Sequence, residues 1–245
     1  MITRVRLALV AFVLLVASAP ASFAQAPDSS AAPRAALKPH TGAVGVQVGE
    51  SYMYGGGDYS DGARPRFAFN GTFRYVGGRW GWQVNPYFTW AAYGVNTDAP
   101  FVDPRFGDPN KDHYLTQIAG ANAQFLLLRS RGSWTWHVGA GPAAYRVVVQ
   151  NRRKVLKDPV TFAKHQGTYL GATAEVGAEH FLKNLTTTSL EWTLGWHTAF
   201  AKDDDKFPNG YNDSPQLLEV RFGAHYYFDM SLLGKKPGAK PATGH

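Results

Sequence analysis

The stretch RFAFNGTFRYVGGRWGWQVNPYFTWAAY, residues 66–93, decides the fold. Up to Val76 it alternates with a period of two. Phe67, Phe69, Phe73 and Tyr75 fall on one side of an extended chain, and Ala68, Asn70, Thr72 and Arg74 on the other. Gly77, Gly78 and Arg79 supply a tight connection. Beyond it Trp80, Trp82, Val84, Pro86, Phe88 and Trp90 oppose Gly81, Gln83, Asn85, Tyr87 and Thr89. The unit is a long β-hairpin with one greasy face and one polar face.

The same alternation recurs on either side of this hairpin. Extended segments are predicted at 42–54, 66–76, 80–93, 114–128, 134–148, 167–181, 188–199 and 217–228. In the fifth, Trp134, Trp136 and Val138 oppose Thr135, His137 and Gly139. In the sixth, Leu170, Ala172, Ala174 and Val176 oppose Tyr169, Thr173, Glu175 and Glu179, and in the seventh Leu190, Trp192, Leu194 and Trp196 oppose Glu191, Thr193, Gly195 and His197. Glu50 and Gln117 fall on the apolar side of their segments, where a bulge or an interfacial position would accommodate them. The connections alternate in length. Residues 77–79, 129–133 and 182–187 are short turns, whereas 55–65, 94–113, 149–166 and 200–216 are long and rich in Gly, Pro, Asp and Asn.

Composition agrees with a turn-rich β protein: 14% aromatic residues, 26 glycines and a mean hydropathy of -0.26 in 245 residues. A soluble sandwich also alternates, but its strands run about five or six residues. The segments here are long enough for lipid-facing strands, which need about 9–11 tilted residues and carry aromatic girdles at both interfaces. Trp80, Trp82, Trp134, Trp136 and Tyr75 sit beside the short turns, where such a girdle belongs. A sheet in lipid cannot leave an open edge, because each unpaired backbone group there costs several kcal/mol. The expected fold is therefore all-β, an eight-stranded antiparallel up-and-down transmembrane β-barrel spanning 42–228. Eight strands enclose room only for side chains, so the interior is expected to be a packed polar core and not a general porin channel. Inward candidates are Asn70, Arg74, Gln83, Asn85, Asn122, Gln124, Glu175, Glu179, Glu191, Glu219, Arg221, His137, His197 and His225. A structural ion-pair network is the expected arrangement of the charged ones.

Residues 1–24 have Arg4 and Arg6, an apolar run from Leu7 to about Ala19, and Ser22-Phe23-Ala24, the pattern of a secretory signal peptide. Residues 25–41, rich in Ala, Pro and Ser, are expected to form a flexible linker, and 229–245 a disordered periplasmic tail. The chain has no cysteine, which excludes a disulfide framework, a thiolate metal site and a cysteine nucleophile. The formal charge of +7 on an exported chain favours anionic lipid or lipopolysaccharide over nucleic acid as partner. Arg152, Arg153, Lys154 and Lys157 in the third long loop are the candidate contacts for lipopolysaccharide phosphates.

In architecture residues 42–228 resemble the small eight-stranded outer-membrane barrels of Gram-negative bacteria, the OmpA and OmpX type. RFGAHYYF, residues 221–228, resembles the final-strand insertion signal of that class through Arg221, Gly223, Tyr226 and Phe228. The resemblance implies recognition by the barrel-assembly machinery and residence in the bacterial outer membrane. The family often stops at the closing aromatic, whereas here seventeen residues follow.

No HExxH, GxSxG, P-loop or CxxC motif occurs, and no cofactor or metal is expected. The acidic runs GGGDYSDG and KDDDKFPNGYND lack the ligand spacing of a calcium loop. The stretch 195–220 is similar in layout to the lipid A deacylase (PagL-like) barrels. That likeness implies an alternative: a lipid A acyl hydrolase, or a degenerate relative of one, with His197 as base and Asp213 or Glu219 as its orienting acid. Two residues after His197 stands Ala199 where that family has its serine nucleophile, so the motif lacks the group that would attack an ester.

Overall fold

The computed structural model describes residues 38–57, 60, 63–93, 114–151, 154–158, 160–182, 185–201 and 213–230. The expected signal peptide, most of the linker, the tail beyond Met230, and Arg152 and Arg153 lie outside the described residues.

Eight long strands make the wall: β1 Thr41–Gly55, β2 Arg66–Val76, β3 Trp80–Tyr93, β4 Tyr114–Arg131, β5 Trp134–Asn151, β6 Gln166–Leu182, β7 Leu185–Ala199 and β8 Gln216–Asp229. Each pairs antiparallel with its sequence neighbours. The ring closes where β1 meets β8, from Thr41↔Asp229 to Gly55↔Gln216. None of these long strands keeps a free edge, so nearly every ladder N–H and C=O is spent inside the wall, the condition for standing in hydrocarbon. Two-residue ribbons extend the ladder, Ala63–Arg64 on β3 and Lys154–Val155 on β5.

The eight predicted segments are these strands. β4 and β5 run past their expected ends to Arg131 and Asn151, and β7 begins before its expected start, at Leu185. The β4–β5 ladder continues to Arg131↔Trp134 because Gly132, at φ 61°, makes a two-residue turn that few other residues would allow.

The exterior is apolar and open. Val46 is 55% exposed, Leu127 60%, Val138 58% and Leu170 74%, values a water-facing surface would not keep side by side over a whole wall. Near the short turns the rings cluster, with Tyr75 stacked on Trp82 at 5.9 Å and Trp134 beside Trp136 at 6.2 Å and Trp192 at 5.9 Å. Such a surface fits lipid, with the rings at its boundary. Glu50 is exposed on this face in unbroken register, and no bulge turns it inward.

The lumen differs from the expected polar core in one respect: it is layered. Toward the short turns Ala43, Val76, Leu126, Leu128, Phe181 and Tyr227 form an apolar floor. Toward the long loops Met53, Ile118, Val147, Val149 and Leu217 join Tyr87 and Tyr145 in an apolar ceiling. Leu156, from the loop after β5, completes that ceiling. Its N–H donates to the Val149 carbonyl at 2.9 Å and its own carbonyl accepts from His165 N–H at 2.8 Å, which folds the loop back on the rim. The charged residues lie between floor and ceiling.

Candidate functional site

Strand register puts carboxylates of the lumen face to face. Glu179 on β6 pairs directly with Glu191 on β7, an arrangement that is destabilising without a cation. Arg74, from β2 across the lumen, supplies it. One terminal nitrogen donates to Glu179 and the other to Glu191 Oε1 at 2.9 Å, while Nε donates to Gln83 Oε1 at 2.9 Å. Tyr227 Oη donates to Glu179 Oε2 at 2.5 Å and Ser189 Oγ does so at 3.0 Å.

A second clamp repeats this arrangement. Glu175 and Glu219 both pair with Gly195, so the three form one row across β6, β7 and β8. With no side chain at Gly195, the Arg221 guanidinium lies over it; an added Cβ would stand 3.1 Å from Arg221 Nη2. Arg221 donates to Glu175 Oε2 at 2.9 Å and stands 3.3 Å from Glu219 Oε2. Gln83 also donates to Glu175, and Tyr87 to Glu219.

The three histidines stand on these carboxylates at ion-pair distance without well-aligned hydrogen bonds. His137 Nε2 lies 3.4 Å from Glu175 and 3.2 Å from Glu191, and so links the two clamps. His225 Nδ1 is 3.0 Å from Glu191, and His197 Nε2 is 3.2 Å from Glu219. All nine charged or ionisable candidates of the lumen are buried together: Arg74, Glu175, Glu179, Glu191, Glu219, Arg221, His137, His197 and His225. Asn85, Asn122 and Gln124 are buried beside them. Gln47 is not among the sequence candidates, yet its Nε2 donates to Glu191 Oε2 at 2.5 Å. Only its inward phase beside Val46 and Val48 would have marked it.

Among the described residues one trio, His137, Glu179 and Glu191, brings three ligand-type atoms within 4.8 Å of one another. Arg74 already bridges both carboxylates, so a guanidinium takes the position a metal cation would need.

His197 and Glu219 are brought together; Asp213 is not part of that pair. Asp213 lies before β8 at the loop end, where its Oδ1 accepts from Ser214 N–H at 2.9 Å. His197 is 0% exposed, stacked on Tyr87 at 4.4 Å, and shares a hydrogen bond of 2.6 Å with Tyr145 through Nδ1. Its neighbours are thus two phenols and a carboxylate, beneath an apolar ceiling and cut off from the outer wall. Residue 199, Ala199, is also buried in that ceiling. The position two residues after His197 therefore brings it no hydroxyl to activate.

At the loop rim, Lys154 is exposed, and Lys157 pairs with Lys164 across an antiparallel bridge. Two like charges face each other there, and no carboxylate pairs with either among the described residues. On β8, Arg221, Gly223, Tyr226 and Phe228 alternate as their spacing requires: Arg221 and Gly223 face inward, and Tyr226 is exposed on the wall.

No family model matches the chain, and no curated protein does. Solved structures that are similar include a major outer membrane protein of Thermus thermophilus, with 15% identity, a TM-score of 0.48, and coverage of 76% of this chain and 99% of that one. The attachment invasion locus protein Ail of Yersinia pestis, in complex with the heparin analogue sucrose octasulfate, has 10% identity and a TM-score of 0.46, covering 78% and 100%. Neisserial surface protein A has 13% identity and a TM-score of 0.42, covering 76% and 97%.

Proposed function

We propose that the protein is a non-enzymatic barrel of the bacterial outer membrane with a structural and surface-interaction role, its extracellular loops contacting lipopolysaccharide. The observation that carries this reading is the two-faced wall: an exposed apolar exterior around a lumen sealed by an apolar floor and ceiling. Among the described residues the lumen is filled between floor and ceiling, which supports a role carried by the outside of the barrel. In this reading residues 1–24 direct export, and Arg221, Gly223, Tyr226 and Phe228 present the last strand to the barrel-assembly machinery.

The loop contact rests on charge. Lys157 and Lys164 oppose each other without an acid among the described residues, and Arg152, Arg153 and Lys154 precede them, so an external anion relieves their repulsion. Phosphates of lipopolysaccharide are the anions met at that rim. Fractionation tests the placement: the protein should sediment with outer membranes and show heat-modifiable gel mobility, and recovery in the soluble fraction would end the reading. In planar bilayers it should give no stepwise conductance.

The alternative, a lipid A acyl hydrolase, draws on the His197–Glu219 pair. Mass spectrometry of lipid A from cells with and without the gene separates the two. Loss of one acyl chain that depends on His197 would overturn the non-enzymatic reading.

A further inference from the structure

On the outer wall, where β3, β4, β5 and β6 run side by side, an open groove of about 260 Å³ interrupts the apolar surface. Arg146 lines it with Gln117, Gln150 and Gln166, over a bed that includes Phe88 and Val148. Gln150 Nε2 donates to Gln117 Oε1 at 3.3 Å, so the amides hold one another beside the guanidinium.

Arg146 is exposed on the lipid side, and nothing among the described residues on that side neutralises it. Its cross-strand partners are Ala119 and Thr168; the next outward residues along the wall are Ala144, Val148, Gln117 and Gln166. None is acidic. This differs from the two lumen arginines, each of which is clamped by two carboxylates.

Height along the wall says which anion is in reach. Arg146 stands ten residues beyond Trp136, which belongs to the ring cluster at the short-turn end of the same strand. At about 3.4 Å per residue and a tilt of about 45°, that is roughly 24 Å of height, against an apolar band about 25 Å tall. Arg146 therefore sits at the far boundary of the hydrocarbon, level with the headgroups of the loop-side leaflet. A guanidinium there, forked for bidentate phosphate contact, has headgroup phosphate as its natural partner. The amides suit sugar or ester oxygens, and Phe88 and Val148 suit an acyl chain.

We infer that this groove is a binding site for one phosphorylated lipid of the outer leaflet, with Arg146 as its phosphate anchor. The inference rests on the outer-membrane placement proposed above, but it uses the wall, not the basic loop.

Native mass spectrometry of the full-length chain in detergent, titrated with bis-phosphorylated lipid A, tests it. One lipid should be retained. Arg146→Gln should weaken retention at least tenfold, to the level seen with dephosphorylated lipid A. Arg146→Lys should keep most of it, which separates lost charge from lost folding, and heat-modifiable mobility checks that each variant is folded. The double change Lys154→Gln with Lys157→Gln should leave this lipid in place. If Arg146→Gln binds as the parent does while the loop double variant loses the lipid, the wall site is refuted and the loop contact stands. If inorganic phosphate displaces the lipid at equal concentration, the groove is a free-anion site and the inference also falls.

Discussion

The lumen and the outer wall are built from alternate residues of the same strands, yet they solve opposite problems. In the lumen Arg74 and Arg221 are buried and each is held by two carboxylates, Arg74 by Glu179 and Glu191 on the adjacent strands β6 and β7, Arg221 by Glu175 on β6 and Glu219 on its own strand. On the wall, one residue away in phase, the rule is Val, Leu, Phe and Trp, with Arg146 standing at the boundary. The difference teaches that burial and polarity are decoupled in this molecule. What a side chain needs is set by whether it meets a fixed counter-charge or hydrocarbon, and a shift of one residue exchanges the two.

The sharpest way to break the contrast is to remove a lumen cation. Arg74→Met leaves Glu179 and Glu191 facing each other without their bridge, and the expected loss is about 3–5 kcal/mol, as for a broken buried ion pair. Urea titration in lipid vesicles, read by the heat-modifiable band, measures it; a loss under about 1 kcal/mol would mean the clamp contributes little. The mirror experiment adds a cation to the wall. Val46→Arg, at mid-height on the exposed face, should cost about 2–4 kcal/mol in the same assay, whereas Gln166→Arg, beside Arg146 near the boundary, should cost about 0–1 kcal/mol. Equal costs at the two heights would contradict the lipid-facing assignment.

A smaller effect probes packing without charge. A Cβ at Gly177 would stand 2.3 Å from His137 Cε1, so Gly177→Ala must displace the imidazole that links the two clamps. The expected cost is about 1–3 kcal/mol, the usual range for overpacking, with a shift of the His137 ring resonances in NMR spectra. The smallest effect is at the rim. Lys157→Gln removes one of two opposed lysines and should change stability by less than about 0.5 kcal/mol while lowering lipopolysaccharide affinity at low salt.

The wall is legible in the sequence because its signal is repeated in every strand. Phase from Phe67 to Tyr75, and again from Trp80 to Phe88, assigns each side chain a face without knowledge of its neighbours. The clamps are not legible. That Glu179 opposes Glu191 follows from the register set by the Leu182↔Leu185 turn and the irregularity at Phe181/Leu182, which no local pattern reveals. Nor does the sequence say that Arg74, distant in the chain, crosses the lumen to reach them. The apolar floor and ceiling escape a sequence reading for a related reason. Ile118, Val147 and Leu217 share phase with polar residues, so alternation of polarity blurs at the strand ends even though alternation of facing continues. Gly195 and Gly177 read as weak strand positions; only the tertiary structure reveals them as the space that Arg221 and His137 occupy.

The seam between β1 and β8 joins the first and last strands of the wall, with Thr41 opposite Asp229. Its contacts have about the largest sequence separation the barrel offers, and such contacts carry the highest loop-closure entropy and form slowly. Until β8 is in place, this edge of β1 has no partner. Partial chains cannot rest in the bilayer as stable intermediates, because their open edges would face hydrocarbon. The seam thus acts as an assembly checkpoint: a chain truncated before Gln216 leaves the facing edges of β1 and β7 unpaired, and should be lost from the outer-membrane fraction on immunoblots of fractionated cells.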